Sequence, residues 1–344
     1  MKITEIRDPE RWNALLEGFS YASSLQSWGW GEVKRLSGWT PRRLLLEEDE
    51  KPLLALQVLA KGRGPLRLLY APRGPAFDDW GALSRALTVL KKQLKGLSLK
   101  LEPPLAIPAE AVPPEAPGLV PAETIQPEYS LQVPLDDEEA ILKRMKPKTR
   151  YNIRLSARKG VTTRIVHPGD PDAENAFNAF FMLFSETNAR AKLLQHSRAY
   201  YEAVFKELDG HGAEAFISLA EHEGEPLAAG LFIAFKDRVD YLYGGSTRKK
   251  RNLMAPYAMH WAAIRHGLAK GRRYYDLWGV PRVLREDSHA WGIYRFKEGF
   301  GGERVRFPAY ELLLSPLAPF VNRALRLRKT LINLKARGTA RDVL

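Results

Sequence analysis

Two stretches carry most of the chemistry written into this chain. The first is Trp291–Gly302, WGIYRFKEGFGG, which sets one lysine, Lys297, beside aromatics in what reads as a glycine-flanked turn. A lysine held in such a setting is a fixed cationic donor, suited to stabilising an oxyanion. The second is Lys146–Val161, KPKTRYNIRLSARKGV, with six cationic side chains in sixteen residues. Cations at that density, with an aromatic and an asparagine among them, suit a polyanion such as RNA or a phosphorylated precursor. A helix stabilised by surface pairs interleaves acids at i,i+4, and none occurs between Arg144 and Lys159. Together the two stretches point to transfer of an acyl group delivered on a large anionic carrier.

Further candidates are more dispersed. Lys34 lies in LQSWGWGEVKRLSGW, where an ammonium beside Trp30 can clamp a phosphate or a flat ring, although core packing is the better account of the tryptophans themselves. Arg73 and Asp78 flank the stiff turn of YAPRGPAFD, which follows a strand, and strand ends of α/β sheets are usual places for ligand contacts. Tyr243 stands before paired glycines in RVDYLYGGSTRKK, where small residues admit a ligand or form a bulge.

Other chemistries are excluded or unsupported. The chain has no cysteine, so thiolate nucleophiles, thiolate metal sites and disulfides are out. Its seven histidines show no metal-ligand spacing, and no GxSxG elbow or P-loop occurs. No metal and no cofactor is expected. The net charge of +13 favours anionic partners. No apolar run approaches the roughly 20 residues that span a bilayer, and the N-terminus lacks a signal-peptide core. The chain reads as soluble and cytoplasmic.

These residues need elements to hold them. At 344 residues, two domains are the prior. Helical signals cover Pro9–Phe19, Trp28–Leu36, Trp80–Leu94, Asp136–Met145, Lys148–Lys159, Asp172–Asn188, Arg198–Leu208 and Met254–Lys270. Strand signals cover Arg42–Glu48, Pro52–Ala60, Arg67–Tyr70, Leu97–Leu101, Ser130–Val133, Val161–Val166, Ala213–Glu221, Pro226–Phe235, Arg238–Gly244 and Tyr274–Leu277. The proline-rich stretch Pro103–Pro127 reads as an irregular loop, and Pro316–Arg337 as a basic amphipathic helix. From about residue 147 the order of elements repeats that of the first part, which predicts two similar α/β domains.

The ordered motifs LQSWGWGEVK, YAPRGP, KPKTRYNIRLSARKGV, YLYGGSTRKKRNLMAPYAMHWAAI, YYDLWGV and YRFKEGFGG resemble the Fem family of non-ribosomal peptidyl transferases. The resemblance implies an α/β (α+β) fold of two acetyltransferase-like (GNAT) domains in tandem, with the C-terminal helix returning to the first. Boundaries are expected at 1–146 plus 303–344 and at 147–302. It implies transfer of an amino acid from aminoacyl-tRNA to the stem-peptide amine of a UDP-linked or lipid-linked muramyl-pentapeptide precursor, with peripheral contact at the inner membrane face. Lys34 matches a lysine that grips the precursor's phosphates. Tyr243 and one of Arg190 or Arg198 fall near other precursor contacts, and Phe296–Lys297 matches the pair at the transfer site. Lys143, Arg144, Lys146, Lys148, Arg150, Arg154, Arg158 and Lys159 would hold tRNA. The spacing in 170–245 leaves no room for a helical arm, which implies the armless, FemX-like type.

Two rival classes account for parts of the sequence. An acyl-CoA N-acyltransferase needs a glycine loop for pyrophosphate, and RKKRNLMAP has no glycine there. A non-catalytic RNA- or membrane-surface protein uses the basic residues but leaves the Lys297 motif unexplained.

Overall fold

The computed structural model describes residues 1–321 and 323, apart from His211 and His289. The expected C-terminal helix beyond 323, and its return to the first half, lie outside the described residues. The first half runs β1 (Lys2–Glu5), α1 (Pro9–Gly18), α2 (Trp28–Arg35), β2 (Thr40–Glu48), β3 (Lys51–Lys61), β4 (Leu68–Ala71), β5 (Ala76–Phe77), α3 (Trp80–Gln93) and β6 (Ser98–Leu101). A middle stretch holds β7 (Ile107–Pro108), β8 (Val120–Ala122), β9 (Tyr129–Pro134), α4 (Glu138–Arg144) and α5 (Pro147–Arg158). The second half runs β10 (Thr162–Val166), α6 (Ala173–Ala191), α7 (Arg198–Glu207), β11 (Ala213–His222), β12 (Glu225–Phe235), β13 (Arg238–Ser246), α8 (Ala255–Ala269) and β14 (Tyr274–Val280), then α9 (Trp291–Glu298), β15 (Glu303–Arg306) and β16 (Ala309–Leu313).

Local chemistry explains many of these limits. Asp8, Ser27 and Ser197 cap α1, α2 and α7 by accepting from backbone N–H groups of the first turn. Proline stands at the start of α1 and α5, where its missing N–H costs nothing. Strands β3 and β12 are buried along almost their whole length, which their continuous apolar sequences require.

The internal repeat is present. Leaving aside the two-residue β5, each half reads strand, helix, helix, three strands, helix, strand. The first sheet has the order β1-β2-β3-β4-β6-β16-β8 and the second β10-β11-β12-β13-β14-β9-β15-β7. In each, an antiparallel meander ends in one parallel pair, β4–β6 or β13–β14, joined across a helix. This is the tandem acetyltransferase-like architecture, a mixed α/β fold.

The halves also exchange strands. β16, from the end of the chain, pairs with β6 of the first sheet, and β9, from the middle stretch, pairs with β14 of the second. The expected boundaries at 146/147 and 302/303 therefore do not coincide with sheet membership. β7, β9 and β15 belong to the second sheet, and Ile141 and Met145, in and just after α4, pack in its core. One further core is shared: Trp12, Leu16 and Trp30 of the first half pack in a single buried cluster with Phe177, Phe205 and Tyr200 of the second.

Candidate active site

Lys297 does not lie in a turn, as its flanking glycines suggest; it is the penultimate residue of helix α9. Glycine lowers helix propensity, but here the glycines serve packing at the helix end. A Cβ on Gly299 would stand 2.3 Å from Thr149 Oγ1, and one on Gly301, whose φ is +79°, 2.5 Å from the Arg144 carbonyl oxygen. The GFGG segment thus lets α9 press against the α4–α5 junction. Lys297 is 8% exposed. Its ammonium donates to the Gly279 carbonyl at 2.7 Å and reaches the Trp278 carbonyl at 3.4 Å. Those carbonyls turn toward it because β14 breaks register against β9 between Asp276 and Gly279, with Trp278 at φ +59°. Burial pushes the Lys297 ammonium down to about 8, against the opposing pull of Asp276.

Lys297 is surrounded by aromatic side chains. Phe296 packs on Tyr257, His260 and Phe300. His260 shares a hydrogen bond of 2.5 Å with the Tyr275 hydroxyl, and burial, aided by Lys297, pushes the imidazole down to about 3. It stays neutral. Asp276 is fully buried; it accepts from Ser130 Oγ, Gln132 Nε2 and the Trp278 backbone N–H, and so ties the bulge to β9.

Lys34 marks a second centre. Its ammonium donates to the Tyr200 hydroxyl at 3.0 Å and lies 4.9 Å from the Trp30 ring centroid. Burial first, and Lys61 second, lower it to about 8. His196 stacks on Tyr200 at 4.0 Å, and Tyr201 packs edge-on against Tyr243. Burial pushes Tyr200 up to about 12 and Tyr243 well above its ordinary value, with a hydrogen bond between the two hydroxyls. Lys34, Trp30 and Tyr243 therefore converge through Tyr200. Gly29 permits this closeness: a Cβ there would meet the Glu207 carbonyl oxygen at 1.8 Å. The two arginines do not join the cluster. Arg190 donates to Glu186, Thr187 and the Ser246 carbonyl, and Arg198 lies over Phe177 and Phe181 and donates to Asn178.

Arg73 and Asp78 part company. Arg73 is not an open contact at a strand end; it is buried between the halves at φ +43°. It donates to the Pro127 carbonyl at 2.8 Å and lies over Phe307 and Trp278. Burial lowers its basicity, while Glu102 and Asp276 oppose that. Trp278 thus touches both Arg73, through its ring, and Lys297, through its carbonyl. Asp78 is exposed, accepts from the Ser20 N–H at 2.6 Å, and lines a groove of about 440 Å³ with Arg11, Leu15 and Phe19. Near Arg73, burial also holds the Asp240 carboxyl well above its ordinary value.

The basic run divides in two. Arg144 pairs with Asp136 at 2.6 Å and Lys146 with Glu298 at 2.6 Å, while Arg150 donates to the Leu142 and Met145 carbonyls at the end of α4. These three have acids or helix-end carbonyls as partners, so they are committed to the fold. Lys143, Lys148, Arg154, Arg158 and Lys159 are exposed and have no ionic partner among the described residues. Of the residues that matter here, Asp276, Asp240, Glu102, Tyr200, Tyr201 and Trp278 are not singled out by sequence. The one local signal is YYDLWGV, an aspartate inside an otherwise apolar strand.

The duplicated acetyltransferase-like frame holds two sheltered lysine centres, Lys34 and Lys297. The FemAB family model matches residues 118–223 and 211–309, more than half of the chain, and the chain belongs to that family. It is 26% identical over 323 residues to the UDP-N-acetylmuramoylpentapeptide-lysine N(6)-alanyltransferase of Weissella viridescens, covering 87% of this chain and 92% of that one. It is 39% identical over 84 residues to aminoacyltransferase FemB of Staphylococcus epidermidis, covering 24% of this chain and 20% of that one. The crystal structure of FemX superposes with a TM-score of 0.79 at 18% identity, over 94% of this chain and 100% of that one. As in the armless type, β10 and β11 are separated only by α6 and α7 among the described residues.

Proposed function

We infer that this chain is an aminoacyltransferase of peptidoglycan bridge formation, moving an amino acid to the side-chain amine of a stem peptide. The observation that carries the reading is its likeness, along nearly the whole length of both chains, to an enzyme named for alanyl transfer to a lysine N6. The donor is aminoacyl-tRNA, and the acceptor a UDP-linked or lipid-linked muramyl-pentapeptide. The reaction belongs in the cytoplasm, where charged tRNA is available. Among the described residues no helix is long and apolar enough to cross a membrane, and contact with a membrane face would be peripheral.

The acceptor amine attacks the ester carbonyl carbon of the donor. The C–N bond forms, the carbonyl oxygen becomes an oxyanion, and the ester C–O bond to the tRNA ribose then breaks. Lys297 has three N–H donors and gives two to the Trp278 and Gly279 carbonyls, so one is left for the oxyanion. Phe296 holds that helix end against Tyr257. The leaving ribose oxygen needs a proton and the attacking amine must lose one, so the first supplies the sink for the second. His260 is sealed against Tyr275 and does not serve as base. Lys34, beside Trp30 and Tyr243, supplies the cation for the precursor's phosphates. The exposed Lys143, Lys148, Arg154, Arg158 and Lys159 face tRNA.

The test is mass spectrometry of a stem-peptide precursor incubated with the enzyme and a pool of charged tRNA. A gain equal to one or more aminoacyl residues is expected, and its size names the amino acid. Gain with acyl-CoA but not with tRNA would overturn the reading.

A further inference from the structure

Three side chains from separate segments meet on the second half, away from both lysines. His167 follows β10, Glu214 is the second residue of β11, and His266 lies in the last turn of α8. Glu214 Oε1 accepts from His167 Nε2 at 2.8 Å and from His266 Nε2 at 2.7 Å. The three ligand atoms all lie within 4.8 Å of one another. No local spacing announces this cluster, since 47 residues separate the first two and 52 the last two.

We propose that His167, Glu214 and His266 form a zinc site that clips α8 to β11 and to the segment after β10. Two imidazole nitrogens face the same carboxylate oxygen, each through one shared proton. A divalent ion would replace those protons. Tetrahedral zinc with bonds of about 2.0–2.2 Å sets its ligand atoms roughly 3.4 Å apart, so the two nitrogen-to-oxygen spacings need to open by only about 0.6 Å, and the two nitrogens already lie within 4.8 Å of each other. Mixed nitrogen and oxygen ligands select zinc-type ions over calcium or magnesium, which prefer oxygen alone.

The surroundings fit. Side-chain exposure is 14% for His266, 16% for Glu214 and 32% for His167, so the ligands are sheltered while a fourth position for water opens on the His167 side. The ring of Phe216 lies 4.6 Å from that of His266 and 6.2 Å from that of His167, giving an apolar floor. Asp170 Oδ2 stands 3.6 Å from His167 Nδ1, on the side where a carboxylate orients a metal-bound imidazole. Arg272 approaches the other carboxylate oxygen, Oε2, at 3.8 Å, which leaves Oε1 for the ion. The site serves the fold rather than the transfer step, because none of its ligands touches Lys34 or Lys297.

The experiment uses the full chain stripped with a chelator and titrated with zinc chloride by calorimetry, with melting followed in parallel. One equivalent should bind, and a hundredfold excess over Kd should raise the melting temperature by about 4 °C. Glu214→Gln keeps an acceptor for both histidines, and His266→Asn removes one ligand. Each should weaken binding roughly 100-fold or more, beyond the 10–100-fold typical of an outer partner, and abolish the melting shift. Metal-free turnover should be unchanged in both. Cobalt chloride added to the wild-type chain should give the visible band of four-coordinate cobalt, a readout that does not depend on any variant folding. No saturable binding, no cobalt band, or variants that bind zinc as the wild type does would each overturn the proposal.

Discussion

Lys297 works as an oxyanion donor only while it is charged, and its setting makes that charge sensitive to pH. With its ammonium lowered to about 8, Lys297 is protonated below that value and gives up its proton as pH rises through it. Turnover should therefore fall above about pH 8, and Lys297→Met should abolish that falling limb. The same substitution should lower turnover by roughly 100-fold or more while leaving the KM for precursor nearly unchanged. A variant turning over at close to the wild-type rate would remove Lys297 from the transfer site. Stability follows the reverse sign. Between about 8 and the ordinary 10.5, the unfolded chain holds the proton and the folded chain does not, so the penalty of burying this group is relieved as pH rises across that window. Lys34 has a different task and should show a different kinetic signature. Lys34→Ala should raise the KM for precursor by an amount equivalent to about 1.5–3 kcal/mol of charge-assisted bonding, with turnover little changed. An unchanged KM would leave Lys34 as no more than the partner of Tyr200.

At the scale of elements, α5 and the junctions around it separate binding from architecture. Reversing charge at Lys148, Arg154, Arg158 and Lys159 should weaken tRNA binding and flatten its salt dependence by about one unit of slope for each phosphate no longer neutralised. Fluorescence titration over a range of salt measures this, and an unchanged slope would send tRNA to another surface. Arg150→Ala should instead lower the melting temperature, because it uncaps α4. Gly301→Ala should destabilise by about 1–3 kcal/mol or more, since its left-handed backbone meets the Arg144 carbonyl. Most elements are legible in the sequence: α1, α2, α3, α6 and the β11–β12 hairpin carry capping residues, apolar period or turn signals of their own. Helix α9 is not, because Gly292 within it, three glycines just after it and its short length mask a helix that packing stabilises. Arg73 misleads for a related reason. A cation beside a turn suggests an exposed side chain, and only the approach of Pro127, Trp278 and Phe307 from elsewhere in the chain buries it. The Lys34 centre is half legible: its lysine and tryptophan lie together in sequence, but Tyr200 and Tyr243 reach it only where α2 packs on α7.

For the whole molecule, the shared core and the exchanged strands make separate domains poor units. Unfolding should be a single cooperative transition by calorimetry. A fragment ending at residue 146 should fail to fold, since it carries β9 without β14 and β6 without β16. A well-dispersed spectrum from that fragment would show that the first sheet closes unaided. The same pairing sets a timetable for biosynthesis. β6 ends at Leu101, but its neighbour β16 begins at Ala309, more than two hundred residues later. At about 5–20 residues per second, the ribosome needs roughly 10–40 s to deliver it. Throughout that interval the nascent first sheet presents an open apolar edge of the kind that recruits other strands. Holding factors on the ribosome should therefore bind the N-terminal half until β16, the last strand among the described residues, emerges.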